Sequence, residues 1–215
     1  MIYYCGIDPG FSGGITIIGG NLDIPIIYKM PITKEVKKVN GKKRTKSAYD
    51  LLEIRKIFNQ YLDEDIVFFI EKVSSHPGEG SVSSFNFGRG IGDLEGLIIG
   101  IFNDIPIFVT PQSWKKHFPE LITDEMTKIK EEIKELRLED KKIKEKEAKK
   151  ENKKQIDKLG RGFKSLAKDN ARGLVSRLYP SLADRFVKKN SDGIAESVLI
   201  ALYGRDTGDK TNELV

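Results

Sequence analysis

The chain of 215 residues carries 37 Lys and Arg against 32 Asp and Glu, a net charge of +5, with 39% hydrophobic and 32% charged residues. That length can bury one sizeable core without disulfide or metal staples, and the prior is a single domain, 1–215, with an elaboration. The mild basic excess admits a polyanionic partner without demanding one, and no apolar run approaches the ~18 residues of a membrane span, so no membrane partner is expected.

Residues 2–8, rich in Ile and Tyr, read as a strand buried on both faces. Cys5 lies within it and is the chain's one cysteine, so it reads as a buried thiol of a reducing compartment. With no signal-peptide pattern, a cytoplasmic protein is expected. Asp8 through Gly14 is a turn, Ile15–Ile18 a second strand and Ile24–Tyr28 a third, which together make an antiparallel meander. Lys34–Lys46 follows as a basic loop or ribbon around Asn40-Gly41. Ser47 is placed to cap a helix over 48–62. Ile66–Ile70 is a buried strand that delivers Glu71 at its end, and a Gly/Ser loop over 74–84 leads to a helix over 85–102. Ile105–Val109 is another strand, and Pro111 starts a short helix through Trp114 and Lys115.

Residues 124–160 are almost entirely Lys and Glu. Met126, Ile129, Ile133, Leu136 and Ile143 recur at steps of three and four (seven from Leu136 to Ile143), and this predicts an inserted charged helical arm with a thin apolar seam. A solvated helix with no further role is the bland alternative. A core helix over 164–178, a last helix over Ser191–Tyr203 and a polar, disordered tail over 207–215 complete the expectation. The order predicts an α/β fold, a mixed sheet with helices on both faces.

Four carboxylates fall where chemistry would need them. Asp8 and Glu71 end strands, and Asp192 and Glu196 lie four residues apart on one face of the last helix. If the two strands are neighbours and the last helix packs on their ends, the four acids repel one another unless hard divalent cations join them. Two such ions can activate a water and stabilise the leaving oxygen in phosphodiester cleavage. Each acid also has a structural reading: Asp8 as a turn residue, Asp192 as a first-turn helix acid. Glu71 and Glu196, beside apolar runs, are harder to explain that way. His76 and His117 have no partners at ligand spacing, which argues against zinc.

Gly6-Ile7-Asp8-Pro9-Gly10 with Gly14-Ile15 resembles the opening motif of RuvC-type Holliday-junction resolvases. So do Phe69-Ile70-Glu71-Lys72-Val73, then Phe87-Gly88-Arg89-Gly90, and Thr110-Pro111-Gln112-Ser113-Trp114-Lys115. Asp192-Gly193-Ile194-Ala195-Glu196-Ser197 resembles the closing acidic helix in a form associated with phage-encoded members. The resemblance covers nearly the whole chain outside 124–160. It implies a ribonuclease H-like fold with a five-stranded mixed sheet. It also implies a Mg²⁺-dependent, structure-selective endonuclease, with Mn²⁺ as a substitute, that cuts four-way DNA junctions as a homodimer in a bacterial cell or phage-infected host.

Carried over residue by residue, the resemblance makes Asp8, Glu71, Asp192 and Glu196 the ligands of two metal ions. Lys115 would stand near the scissile phosphate, although Lys116 beside it is an alternative and a plain surface lysine another. Phe85, Asn86, Phe87 and Arg89 would face the junction and the partner subunit, with helix-start packing as their structural alternative, at least as good a reading for Phe87. Lys42, Lys43, Arg44 and Lys116 would add DNA-backbone contacts. Two departures stand out. The acids of the last helix are four apart rather than three, and Ser74 stands where the bacterial pattern has an aromatic, so base stacking and narrow sequence preference are not expected.

Three other readings compete. A flap or fork nuclease of the same fold would share every acid. An actin-like kinase or ATPase would need a second phosphate-binding turn and a duplicated domain, neither of which is present. A non-catalytic DNA-binding protein would have no use for four carboxylates that repel DNA.

Overall fold

Tyr3, Cys5 and Ile7 belong to a core on one face of strand β1 (Ile2–Asp8), while Tyr4, Gly6 and Asp8 face the other way. This period-2 alternation organises everything around it. β2 (Gly14–Gly19) pairs antiparallel with β1, and β3 (Ile26–Lys29) pairs antiparallel with β2, which is the expected meander. The computed structural model describes residues 1–39, 41–74 and 80–211. It divides into two compact units, Met1–His117 with Asn190–Val215, and Phe118–Lys189.

In the first unit, β4 (Ile32–Val39) and β5 (Lys42–Tyr49) form a separate two-stranded ribbon over the basic stretch. Gly41 turns it with φ of 74°, a conformation that glycine adopts without the Cβ penalty. Ser47 therefore sits in a strand rather than at a helix cap. Helix α1 (Leu51–Phe58) starts three residues later than expected, capped by Asp50, whose Oδ1 accepts from Glu53 N at 3.1 Å. The reason is tertiary: Tyr49 is drawn inward, its ring buried edge-on to Phe11 at 5.3 Å, and the strand must run that far to deliver it.

β6 (Asp65–Glu71) then pairs parallel with β1, and after α2 (Ser81–Phe102) the short β7 (Ile107–Val109) pairs parallel with β6. The result is an α/β fold built on a five-stranded mixed sheet of order β3-β2-β1-β6-β7. One face carries α1 and α2. Their Ile54, Ile57, Phe58, Leu94 and Ile98 join Cys5, Ile7, Ile15, Ile17, Phe68 and Ile70 in a single core. Each such side chain contributes roughly 1.5–3 kcal/mol by leaving water. The Cys5 thiol, fully buried there, is pushed far above its ordinary pKa by desolvation.

The opposite face is covered by α6 (Asp192–Thr211), which packs on β1, β2 and β6. Before it in the chain come α3 (Pro111–His117), α4 (Asp124–Asp140) and α5 (Lys146–Leu178). Gly6 is what lets α6 lie so close: a Cβ there would stand 2.3 Å from both Ala201 N and Ser197 O. Thr16 of β2 and Ser197 of α6, both fully buried, satisfy each other at 2.7 Å across the same contact. α6 runs on to Thr211, over part of the stretch expected as a tail from 207, and 212–215 lie outside the described residues. No helix among the described residues is long and apolar enough to cross a membrane.

The second unit is larger than the 124–160 arm. Thr123 caps α4 by accepting from Met126 N at 3.3 Å, and α5, 33 residues long, packs against it. The expected core helix over 164–178 is the last part of α5. Buried Asn152 ties the pair by donating to Leu136 O at 3.0 Å and to Asp140 Oδ1 at 3.3 Å. α5 also packs on two 3₁₀ segments, Pro119–Leu121 and Pro180–Phe186, and Asn170 Nδ2 donates to Leu121 O at 3.1 Å. These flanking contacts are why the unit extends to Phe118 and Lys189.

Candidate active site

The parallel register of β1 and β6 runs from Ile2 opposite Asp65 to Ile7 opposite Ile70. One step further, Asp8 and Glu71 come side by side at the strand ends, and the alternation turns both toward the face that α6 covers. Neighbouring parallel strands put two carboxylates at one sheet edge, where the Asp8-Pro9-Gly10 turn breaks the pairing.

The first turn of α6 lies directly over Asp8. A Cβ on Gly193 would stand 2.8 Å from Asp8 Oδ2 and 2.3 Å from Ser12 O, so only glycine permits this approach. Asp192, next to it, is buried, and Glu196 follows one turn on. Behind α6's first turn, Ile194, Ala195, Val198 and Leu199 are buried, and they fix its rotation.

Two further groups engage the acids. Trp114 of α3 is fully buried, and its Nε1–H donates to Glu71 Oε1 at 3.0 Å. Lys115 Nζ lies 3.2 Å from Glu196 Oε1 and 4.7 Å from the centre of the Trp114 ring. Lys116 is exposed, so of the two lysines the sequence leaves open, Lys115 is the one that reaches the acidic face. α3 is held to α6 at its far end, where His117 Nε2 is 3.0 Å from Asp206 Oδ2 and the His117 ring packs edge-on to Tyr203.

The electrostatics follow from this crowding. Burial pushes the Asp8 carboxyl up to about 7, and the charges of Glu196, Glu71 and Asp192 push the same way, against the hydrogen bond that Oδ1 accepts from Gly10 N at 3.0 Å. Asp8 is thus both the turn residue and part of the acidic group. Glu71 is raised as well, by burial first and by Glu196 second, with Trp114 and Lys115 opposing. As the side chains stand, no three His, Cys, Asp or Glu among the described residues form a ready cation cage. The donor set, four carboxylates with no sulfur or imidazole, is that of a hard cation such as Mg²⁺ or Mn²⁺.

Two residues here had no role in the sequence reading. Trp114 was only a helix residue there, although a lone Trp at the start of a short helix after a strand was the available signal. Tyr49 hydrogen-bonds through its hydroxyl to Pro9 O, which braces the Asp8 turn, and burial pushes its own pKa up. No local pattern marks that contact across 40 positions of chain.

The expected DNA-contacting residues are spread more widely. On α2, Phe85 is exposed, Asn86 and Phe87 are half-buried, and Arg89 is exposed and 3.8 Å from Asp93 Oδ2. Asn86 and Arg89 line a groove of about 300 Å³ with Phe11 and Tyr49. Lys43 is exposed on β5, while the side chains of Lys42 and Arg44 lie outside those described, as do residues 75–79 with His76. No model of a known protein family matches the chain, and no curated protein does.

Proposed function

We propose that this chain is a divalent-metal-dependent, structure-selective DNA endonuclease of the ribonuclease H-like class that acts on four-way junctions. The observation that carries it is the meeting of Asp8 and Glu71 at adjacent parallel strand ends under the first turn of α6, with Asp8 repelled by three other carboxylates. A fold gains nothing from such mutual repulsion, whereas cation binding would turn it into affinity.

Asp8, Glu71, Asp192 and Glu196 would hold Mg²⁺ or Mn²⁺, two ions per site. Bound there, the ions supply Lewis-acid activation of water and charge neutralisation at a scissile phosphate. Trp114 orients Glu71 by fixing one of its oxygens and leaves the other for a ligand. Lys115, paired with Glu196 in the free chain, offers a cation to the charge that develops on the phosphate. Arg89 and Asn86 in the groove beside Tyr49 would contact backbone, as would the basic β4–β5 ribbon.

Paired cutting requires two copies, and α2 supports a homodimer. Gly88, Gly92, Gly96 and Gly100 recur every four residues, all exposed, and a Cβ on any of them would meet nothing within 4 Å. Exposed Val82, Phe85 and Ile99 fall on the same side of the helix. Arg89 projects from the same side, and the small and apolar residues around it suit close approach of a second helix.

The test is cleavage of end-labelled four-way junction, replication fork and linear duplex, with Mg²⁺ or EDTA, by wild type and Asp8→Asn. Symmetric paired nicks in the junction, lost with EDTA and with Asp8→Asn, are expected. Cutting of forks alone would favour a flap or fork nuclease, and no metal-dependent cutting of any substrate would end the enzyme reading.

A further inference from the structure

The second unit contains a groove of about 420 Å³ along α4 and α5, lined by Phe163 of α5 and by five cations. Four of these, Lys130, Lys134 and Arg137 of α4 and Lys141 at its C-cap, succeed one another at steps of four, three and four residues. They therefore lie in one line, about 16 Å long, on a single face of the helix. Lys164 of α5 supplies the fifth from the facing wall.

All five are exposed, and among the described residues none has a carboxylate within ion-pair distance. Of the acids of α4, Glu132, Glu135 and Glu139 fall on the opposite side of the helix, while Glu131 and Asp140 flank the row and do not line the groove. An ordinary solvated helix interleaves its charges so that i, i+4 pairs form. Here one row of the helix carries cations alone, and it borders a groove whose lining residues include no acid. Lys130 Nζ lies 5.2 Å from the centre of the Phe163 ring, which keeps one of the cations over the groove.

We infer that this groove is a binding surface for the sugar–phosphate backbone of a nucleic acid, separate from the acidic site and within the second unit alone. The inference rests on the nuclease reading for its choice of polyanion. A row of cations spaced by about 4.5–6 Å matches a row of regularly spaced phosphates better than the irregular charges of an acidic protein surface. The contact carries no base information, so it adds affinity without sequence preference.

The test is DNA binding by the full chain in EDTA, so that no strand is cut, read by fluorescence anisotropy of a labelled four-way junction across a salt series. The variant is Lys134→Glu/Arg137→Glu/Lys141→Glu. A control of equal charge change, Lys128→Glu/Lys154→Glu/Lys158→Glu, replaces exposed lysines of the same unit that do not line the groove. The groove variant is expected to bind at least roughly tenfold more weakly near 0.15 M salt, with a salt slope shallower by about 3, while the control stays near wild type.

Unchanged affinity and slope in the groove variant would overturn the inference, as would equal losses in variant and control. Loss of binding to vesicles of phosphatidylcholine and phosphatidylserine in equal parts, with DNA binding intact, would overturn it in favour of a membrane surface. Junction cleavage by the wild type with Mg²⁺, run in parallel, judges the nuclease reading by itself. A wild type that cuts while the groove variant binds normally sinks the groove alone, and one that neither cuts nor binds sinks both.

Discussion

Lys115 Nζ stands 3.2 Å from Glu196 Oε1, so the free chain already places a cation against its acidic face. Lys115→Ala removes that charge from beside Glu196 and, through space, from Glu71. Cleavage should slow roughly 100-fold or more if the lysine meets charge developing on the phosphate. Affinity for Mn²⁺, read by titration calorimetry, should hold or rise because the carboxylates lose a competitor. Cleavage at the wild-type rate would show that Lys115 only pairs with Glu196.

Asp8 sets a pH dependence of unusual sign. Its folded pKa, raised to about 7, exceeds an unfolded value of about 4, so between these pH values the folded chain binds more protons than the unfolded one. In EDTA, its contribution to stability is therefore full below about pH 4 and falls as pH rises toward 7. Asp8→Asn escapes that loss. Thermal unfolding in EDTA should show the variant close to wild type near pH 4.5 and exceeding it at pH 8, by at most a few kcal/mol. Adding Mn²⁺ at pH 8 should raise the wild-type midpoint and leave the variant's almost still. Parallel curves for the two proteins would refute the assignment.

Trp114 holds Glu71 by a hydrogen bond whose effect can be separated from the packing of its ring. Trp114→Phe keeps a buried ring but removes the N–H that holds Glu71 at 3.0 Å. Leaving that carboxylate short of a donor should cost about 1–3 kcal/mol of stability. The Mg²⁺ concentration for half-maximal cleavage should rise roughly 10-fold or more, with much of the rate regained at high Mg²⁺. A lower rate that no Mg²⁺ concentration restores would assign Trp114 to the core only.

The α2 face can be tested without endangering the fold. A Cβ at Gly92 or Gly96 would meet nothing within 4 Å among the described residues, and replacing a helical glycine should strengthen the helix by up to about 1 kcal/mol. Gly92→Leu/Gly96→Leu should therefore melt no lower than wild type, yet elute as a monomer in light-scattering chromatography, where wild type should elute as a dimer. Paired nicking should become single nicking. A variant that remains dimeric would move the interface elsewhere.

What the sequence determined by itself was local and periodic. Short apolar runs bounded by turn residues marked β1, β2 and β6, Pro111 marked the start of α3, and the seam from Met126 marked the start of the second unit's helices, because runs and helix periods are written in adjacent residues. The same logic put Asp8 and Glu71 at strand ends and Asp192 and Glu196 on one helix face. Only the tertiary structure could set β6 beside β1, slide α6 over Gly6 and Gly193, and turn Trp114 toward Glu71, since each depends on partners tens of residues away. It also overrode a local cap: Ser47 is a sound helix start in isolation, but burying Tyr49 against Phe11 and the Asp8 turn outweighs one capping hydrogen bond. The extent of the second unit was hidden for the same reason. Its boundary at Phe118 and Lys189 depends on which surfaces α5 finds to pack on, and no composition shift marks those ends.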